Sequence, residues 1–300
     1  RPDGRRILTL DLSSRDMLYE VLNLDLASAV GGIHYYDFSA DYEANLRELC
    51  RVATSRLSES RISEETVVGI GVAAPGPYSP ETDTISEAPQ PELSSVRLTE
   101  LLGSFFDYPM GIDHDVFLAT RAEVRHVKDY RRKNVFYLYL GEGVGGALAS
   151  GGVVYRGARE DAGEVGNLLV CDGGRLEDLV SWNRVRAKLP RMTAEADETW
   201  LRSEFARADS GVRELILDIA DAVARALHNV VWITDPHAIV IAGAYQVFGE
   251  DFIDVVRNKL ADYLPRNILQ GIDMLLPLEG TRSAIVGAGE MVRERWLNSL

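Results

Sequence analysis

Glycine turns let backbone N–H groups approach anions closely, and a carboxylate at a helix start can accept a proton from a hydroxyl. From residue 112 onward the sequence carries a series of segments of those kinds. Ile112-Asp113-His114-Asp115 opens a helix, and Leu140–Gly146 (LGEGVGG) leads a hairpin that ends in Tyr155-Arg156-Gly157. Ala162-Gly163-Glu164-Val165-Gly166-Asn167 follows, then Gly174-Arg175-Leu176-Glu177, and finally Ile239–Gly243 (IVIAG). Asp115 has two readings, since an acid at a helix start can face a ligand or simply cap the helix for about 1 kcal/mol. His114 likewise reads as a site residue or as a satisfied, half-buried histidine.

The elements that would position these residues follow from periodicity. Arg6–Leu12 and Met17–Leu24 read as strands about a turn at residues 13–16, and the aromatic run His34–Phe38 reads as the third strand of that meander. Leu46, Leu49, Cys50, Ala53 and Leu57 recur at helical spacing, which predicts a helix from Asp41 to about Ser58 with Cys50 as a core thiol. Thr66–Ala73 is a buried strand, followed by a polar loop, a short helix over Leu98–Phe106, a strand at Met110–Asp113 and a helix from Asp115 to about Val127. Val135–Leu140 is a strand with Ala147–Tyr155 as its hairpin partner. Leu176 to Ile233 is mainly helical, with one apolar stripe through Val212, Leu215, Ile216, Ile219, Val223, Leu227 and Val230. Strand Ala238–Ala242, a helix near Asp251–Tyr263 and a last helix, Ser283–Trp296, complete the order. Ala284, Gly287 and Ala288 give that last helix a small-residue face suited to close packing.

The expected fold is therefore α/β in two lobes, residues 1–113 with 283–300 and residues 114–282, and ligands are expected in a cleft at the strand ends. The 300 residues suit two such lobes, and 46% hydrophobic with 26% charged content is ordinary for a globular chain. No apolar run is long enough to span a bilayer, and RPDGRR has no apolar core behind it to make a signal peptide. Two cysteines, Cys50 and Cys171, supply neither a disulfide framework nor a cysteine cage, which fits a reducing cytoplasm. The net charge of −14 opposes contact between this chain and nucleic-acid backbones.

In order and spacing, the five segments resemble the ROK family of bacterial repressors and sugar kinases, across nearly the whole chain. The resemblance implies a two-lobed actin-like (ribonuclease H-like) sugar kinase fold with a cleft between lobes. It places Asp115 where the family has the base that takes a proton from the sugar hydroxyl, with His114 in place of the usual Asn. Glu164 matches a sugar-contacting glutamate, and a carboxylate can accept from two adjacent hydroxyls. Asn167 replaces the histidine that contacts sugar and ligates zinc, while Glu177 matches the glutamate after the metal loop. Gln90 stands where a sugar-binding Asn is usual.

The departures are as informative. Leu168–Arg175 is a shortened metal loop with only Cys171, too few ligands for a tetrahedral structural zinc. The family's first phosphate turn, Asp-x-Gly-Gly-Thr, is here Asp11-Leu12-Ser13-Ser14-Arg15, and serines lack the close approach and positive φ that paired glycines permit. Glu142 replaces the threonine of the second turn, beside Gly143; Gly243 completes the degenerate nucleotide site. A carboxylate about 4 Å from one phosphate charge costs roughly 4 kcal/mol at an effective dielectric near 20.

These changes lead to the expectation of a sensor for a sugar or sugar phosphate: the effector domain of a ROK-type transcriptional regulator, without kinase activity, zinc or ATP. The start at Arg1-Pro2 resembles the junction after a winged helix-turn-helix, to which any DNA contact would belong. A homodimer or dimer of dimers is expected, with no membrane partner. The alternatives are an ATP-dependent hexose kinase using Asp115 as base, and a dimerisation module that binds no ligand.

Overall fold

The computed structural model describes residues 4–86, 91–126, 128–170, 173–189 and 198–300. The chain opens with strands β1 (Arg6–Asp11) and β2 (Met17–Asn23), paired antiparallel, and β3 (Ser28–His34), antiparallel to β2. Helix α1 (Tyr42–Glu59) is capped by the Asp41 carboxylate, which accepts from the Ala44 N–H at 2.7 Å. Leu46, Leu49, Cys50, Ala53 and Leu57 are all buried along it, as their spacing requires. Strand β4 (Val67–Ala74) runs parallel to β1, and a small hairpin, β5 (Tyr78–Ser79) with β6 (Thr84–Ile85), precedes helix α2 (Leu98–Gly103). Strand β7 (Met110–His114), parallel to β4, leads directly into helix α3 (Asp115–His126).

The third strand lies earlier than the aromatic run suggests. Gly31 and Gly32, poor strand formers, pair with Glu20 and Tyr19 on β2. A Cβ at Gly31 would fall 2.9 Å from the Tyr19 carbonyl oxygen and one at Gly32 2.6 Å from the Tyr19 hydroxyl, so both glycines lie close against β2. In the run of residues 35–38, Tyr36 and Phe38 pair with each other instead. The Tyr36 and Phe38 rings meet edge-on at 5.2 Å, and Tyr35 and Phe38 are exposed.

The next sheet begins with β8 (Asn134–Leu140), β9 (Val144–Ser150) and the short β10 (Val153–Tyr155), an antiparallel meander. Short helices α4 (Leu176–Val180) and α5 (Trp182–Arg186) precede α6 (Glu198–Ala206) and the long α7 (Gly211–Thr234), whose apolar stripe is core. Strand β11 (Ala238–Gly243) lies parallel to β8, followed by α8 (Glu250–Leu260), α9 (Arg266–Leu269) and β12 (Asp273–Leu275), parallel to β11. Helix α10 (Ser283–Asn298) closes the chain.

These elements form two compact units, one ending at Ala122 and resumed over Arg282–Leu300, the other Glu123–Thr281. In the first, the sheet order is β3-β2-β1-β4-β7; in the second it is β10-β9-β8-β11-β12, the same arrangement repeated. Each unit has its own apolar core. Helix α10 belongs to the first, where it packs on β4 and β1. Gly71 on β4 admits it closely, since a Cβ there would meet the Ala288 carbonyl oxygen at 2.6 Å. Among the described residues no helix is long and apolar enough to cross a membrane.

Candidate functional site

In the first unit, the turn after β1 satisfies its own backbone. The Leu12 N–H donates to the Ala73 carbonyl at 2.9 Å and the Ser13 N–H to Asp11 Oδ1 at 2.9 Å. The Ser14 hydroxyl donates to the Asp16 carbonyl at 2.7 Å, and neither serine has a positive φ. The Arg15 guanidinium lies over Tyr36 at 4.8 Å and Phe38 at 5.9 Å, a cation–π arrangement.

Asp11 itself is buried, and that burial pushes its carboxyl above the ordinary range against the opposing hydrogen bonds from Ser13. A carboxyl raised in the folded state favours folding most where it is protonated in both states, and that contribution is lost as pH rises through its folded value. Asp11→Asn keeps an oxygen for the Ser13 N–H. The variant should be more stable than the parent near neutral pH, with the difference shrinking toward pH 3.8 and below. Urea unfolding across that range measures it.

At the junction of β7 and α3, His114 and Asp115 are both buried, with His114 Nε2 3.5 Å from Asp115 Oδ1. The same carboxylate oxygen accepts from the Val116 N–H at 2.6 Å, so Asp115 satisfies a first-turn donor as well as facing His114. The His114 ring packs edge-on against Phe117 at 4.9 Å. Gln90, the remaining expected contact on this unit, lies outside the described residues.

In the second unit, the other expected residues gather at the C-terminal end of β8. The turn Gly141-Glu142-Gly143 is closed by the Gly141 N–H to the Gly143 carbonyl at 3.0 Å, with Glu142 half-buried. The Trp182 N–H donates to the Gly141 carbonyl at 2.7 Å. Glu177, in the first turn of α4, accepts from the Val144 N–H through Oε2 at 3.1 Å and so fixes the exit from the glycine turn. Glu177→Ala should cost about 2 kcal/mol of stability by stranding that N–H, whereas Glu177→Gln retains an acceptor and should cost much less. Thermal unfolding of the two variants compares them directly.

Glu164 and Asn167 lie on the segment that crosses this turn. Gly163 has φ 98°, and a Cβ there would fall 2.0 Å from the Gly146 carbonyl oxygen. At Gly166 the distance would be 2.3 Å to the Val144 carbonyl oxygen. Only glycines permit so flat a crossing. Between them, half-buried Glu164 starts a 3-10 turn in which the Asn167 N–H donates to the Glu164 carbonyl at 3.2 Å. Asn167 is exposed, and its Oδ1 accepts from Arg175 at 3.4 Å. The shortened loop closes on itself through pairing of Leu169 with Arg175, while Cys171 lies outside the described residues. Gly243 has φ 98° and approaches the Leu140 carbonyl oxygen, where a Cβ would sit at 2.3 Å.

Sequence reasoning found the glutamates but not their supports. The Gly163-x-x-Gly166 spacing is the signal that marks the close crossing. Tyr245, whose hydroxyl donates to the Val180 carbonyl at 2.7 Å and whose ring stacks on Phe252 at 4.9 Å, anchors the end of α4 without any local motif.

Two α/β units with the same five-strand order, each with a turn after its first strand, define the actin-like sugar kinase fold. The chain matches the ROK family model over residues 46–295 and belongs to the ROK family. Its relatives include both enzymes and regulators. It is 24% identical to a glucokinase of Halalkalibacterium halodurans over 80% of each chain. It is also 24% identical to a xylose repressor of Caldicellulosiruptor bescii, over 82% of this chain and 68% of the repressor. A solved ROK family transcriptional regulator, a homologue of the E. coli MLC protein, superposes with a TM-score of 0.77 at 16% identity, covering 98% of this chain and 78% of that one.

Proposed function

We propose that this chain is the sugar-sensing effector unit of a ROK-type transcriptional regulator, which holds a sugar or sugar derivative without phosphorylating it. The reading is carried by the turn after β1. Its Leu12 and Ser13 N–H groups are already spent on Ala73 and Asp11, and no positive φ opens a backbone cradle for phosphate. Glu142 adds a carboxylate to the second turn, where an anionic nucleotide tail would be repelled. On the first unit the candidate sugar contacts are Gln90, His114 and Asp115; on the second they are Glu164, Asn167 and Glu177.

Zinc does not suit this donor set. The position expected to supply a histidine carries Asn167, and the loop that follows has Cys171 as its single thiol, too few ligands for a tetrahedral zinc. DNA contact is assigned to a winged helix-turn-helix outside this acidic chain, and assembly to a homodimer or dimer of dimers.

The test combines two measurements. Incubation with Mg-ATP and a panel of hexoses should yield no sugar phosphate, and calorimetry should show no ADP binding. One sugar or sugar derivative of the panel should raise the melting temperature, by about 2.7 kcal/mol of stabilisation at a hundred times its dissociation constant. Turnover, or ADP binding, refutes the sensor.

A second reading, an ATP-dependent hexose kinase, draws on the buried Asp115 beside His114 at the start of α3 and on the glucokinase relative. It requires that Asp115→Asn abolish measurable phosphorylation.

A further inference from the structure

The second unit has a cavity that shares no residue with the glycine turns or the candidate sugar contacts. It measures about 430 Å³ and lies where the end of α8 meets α9, with Leu264 and Leu269 as its apolar floor. Its polar lining is Arg257, Asn258, Arg266 and Gln270, with no acidic residue. That composition stands out in a chain of net charge −14. The acids nearest in sequence, Asp254, Asp262 and Asp273, do not line it.

Both guanidinium groups keep donors to spare. Arg257 spends one N–H on the Ile272 carbonyl at 3.3 Å, and the Arg266 side chain has neither an ion-pair nor a hydrogen-bond partner among the described residues. Arg257 lies in the last turn of α8, where a cation complements the helix dipole, while Arg266 is the first residue of the four-residue α9. Two arginines, an asparagine and a glutamine line one cavity, of a volume typical of small-molecule sites. Arginine's planar fork matches an oxyanion bidentately.

We propose that this cavity is a second small-molecule site, selective for a dianionic oxyanion such as a phosphate or phosphomonoester, held between Arg257 and Arg266 with Asn258 and Gln270 as additional donors. It is independent of whether the glycine-turn residues hold a sugar. An acidic regulator would thereby gain a site for a phosphorylated metabolite remote from Glu164 and Glu177.

Calorimetric titration of the 300-residue chain at low ionic strength, with inorganic phosphate and with glycerol 3-phosphate, tests the proposal. Glycerol 3-phosphate carries no sugar ring for the other residues to recognise. The expected dissociation constant is roughly millimolar, weakened about tenfold or more by Arg266→Gln and unaffected by Glu164→Gln. Arg266→Gln should leave the melting temperature unchanged, which separates lost binding from lost structure. Tighter binding of glycerol 3-phosphate identifies a phosphomonoester ligand, and equal binding a free oxyanion. No heat from either probe up to about 20 mM, or binding that Arg266→Gln leaves intact, overturns the proposal.

Discussion

Gly163→Ala is expected to lower the melting temperature by roughly 10 °C. Two costs combine at this residue. Its φ of 98° lies where side-chain-bearing residues are strained by about 1–2 kcal/mol. The added Cβ would also sit 2.0 Å from the Gly146 carbonyl oxygen and 2.8 Å from its carbon, atoms of a paired strand that cannot rotate away. Displacing that backbone brings the total to about 4 kcal/mol, and 1 kcal/mol shifts the melting temperature of a unit this size by about 2–4 °C. Gly173 supplies the control, with φ 79° but open space around its Cβ position. Gly173→Ala should therefore cost only the strain. Equal losses in the two variants would show that the crossing over β9 is not a close contact. Because Glu164 follows Gly163 directly, the first variant should also abolish any sugar-dependent thermal shift.

Gly287→Ala should destabilise the first unit by about 3 kcal/mol. On helix propensity alone the change is favourable by about 1 kcal/mol, so the sign of the result is diagnostic. The opposing term is the contact of α10 with α3, where a Cβ on Gly287 would fall 2.0 Å from the Leu118 carbonyl oxygen and 2.4 Å from its carbon. The helices must separate to admit it, disturbing the segment that begins with Asp115. Gly103→Ala, at the end of α2 with nothing within reach of its Cβ, should be neutral or slightly stabilising. Thermal denaturation of both variants decides the matter, and a stabilised Gly287→Ala would refute the close helix contact.

The small-residue face behind that prediction was legible in the sequence, because Ala284, Gly287 and Ala288 recur at helical spacing. The buried stripe of α7 and the spacing of Leu46, Leu49 and Ala53 were legible for the same reason, since a helix repeats its inward face every 3.6 residues. The third strand was not. Local propensity favoured the aromatics of residues 35–38 over Gly31-Gly32, yet it is the glycines that pair closely with Glu20 and Tyr19 on the neighbouring strand, which a single-segment reading does not weigh. Strand β9 likewise starts at Val144, before the expected Ala147, because Gly145 and Gly146 depress the local signal while pairing with Tyr139 and Leu138. Among candidate site residues, His114-Asp115 and Glu164 stood out because charged side chains beside glycines or helix starts are conspicuous. The Glu177 contact with the Val144 N–H links residues 33 apart and has no local signature. The arginine-lined cavity lies within residues 257–270, where α8 ends and α9 begins, and has no motif of its own.

The return of α10 to the first unit bears on how the protein is made. During synthesis, residues 123–281 leave the ribosome as a continuous stretch and can acquire their structure without waiting for anything downstream. The opening segment is produced earlier yet matures later. Until residues 282–300 emerge, the face of β4 that carries Gly71 has no cover, and the nascent polypeptide must keep that apolar surface from associating with neighbours. For residues 4–122 and 123–281, birth order and folding order are thus reversed.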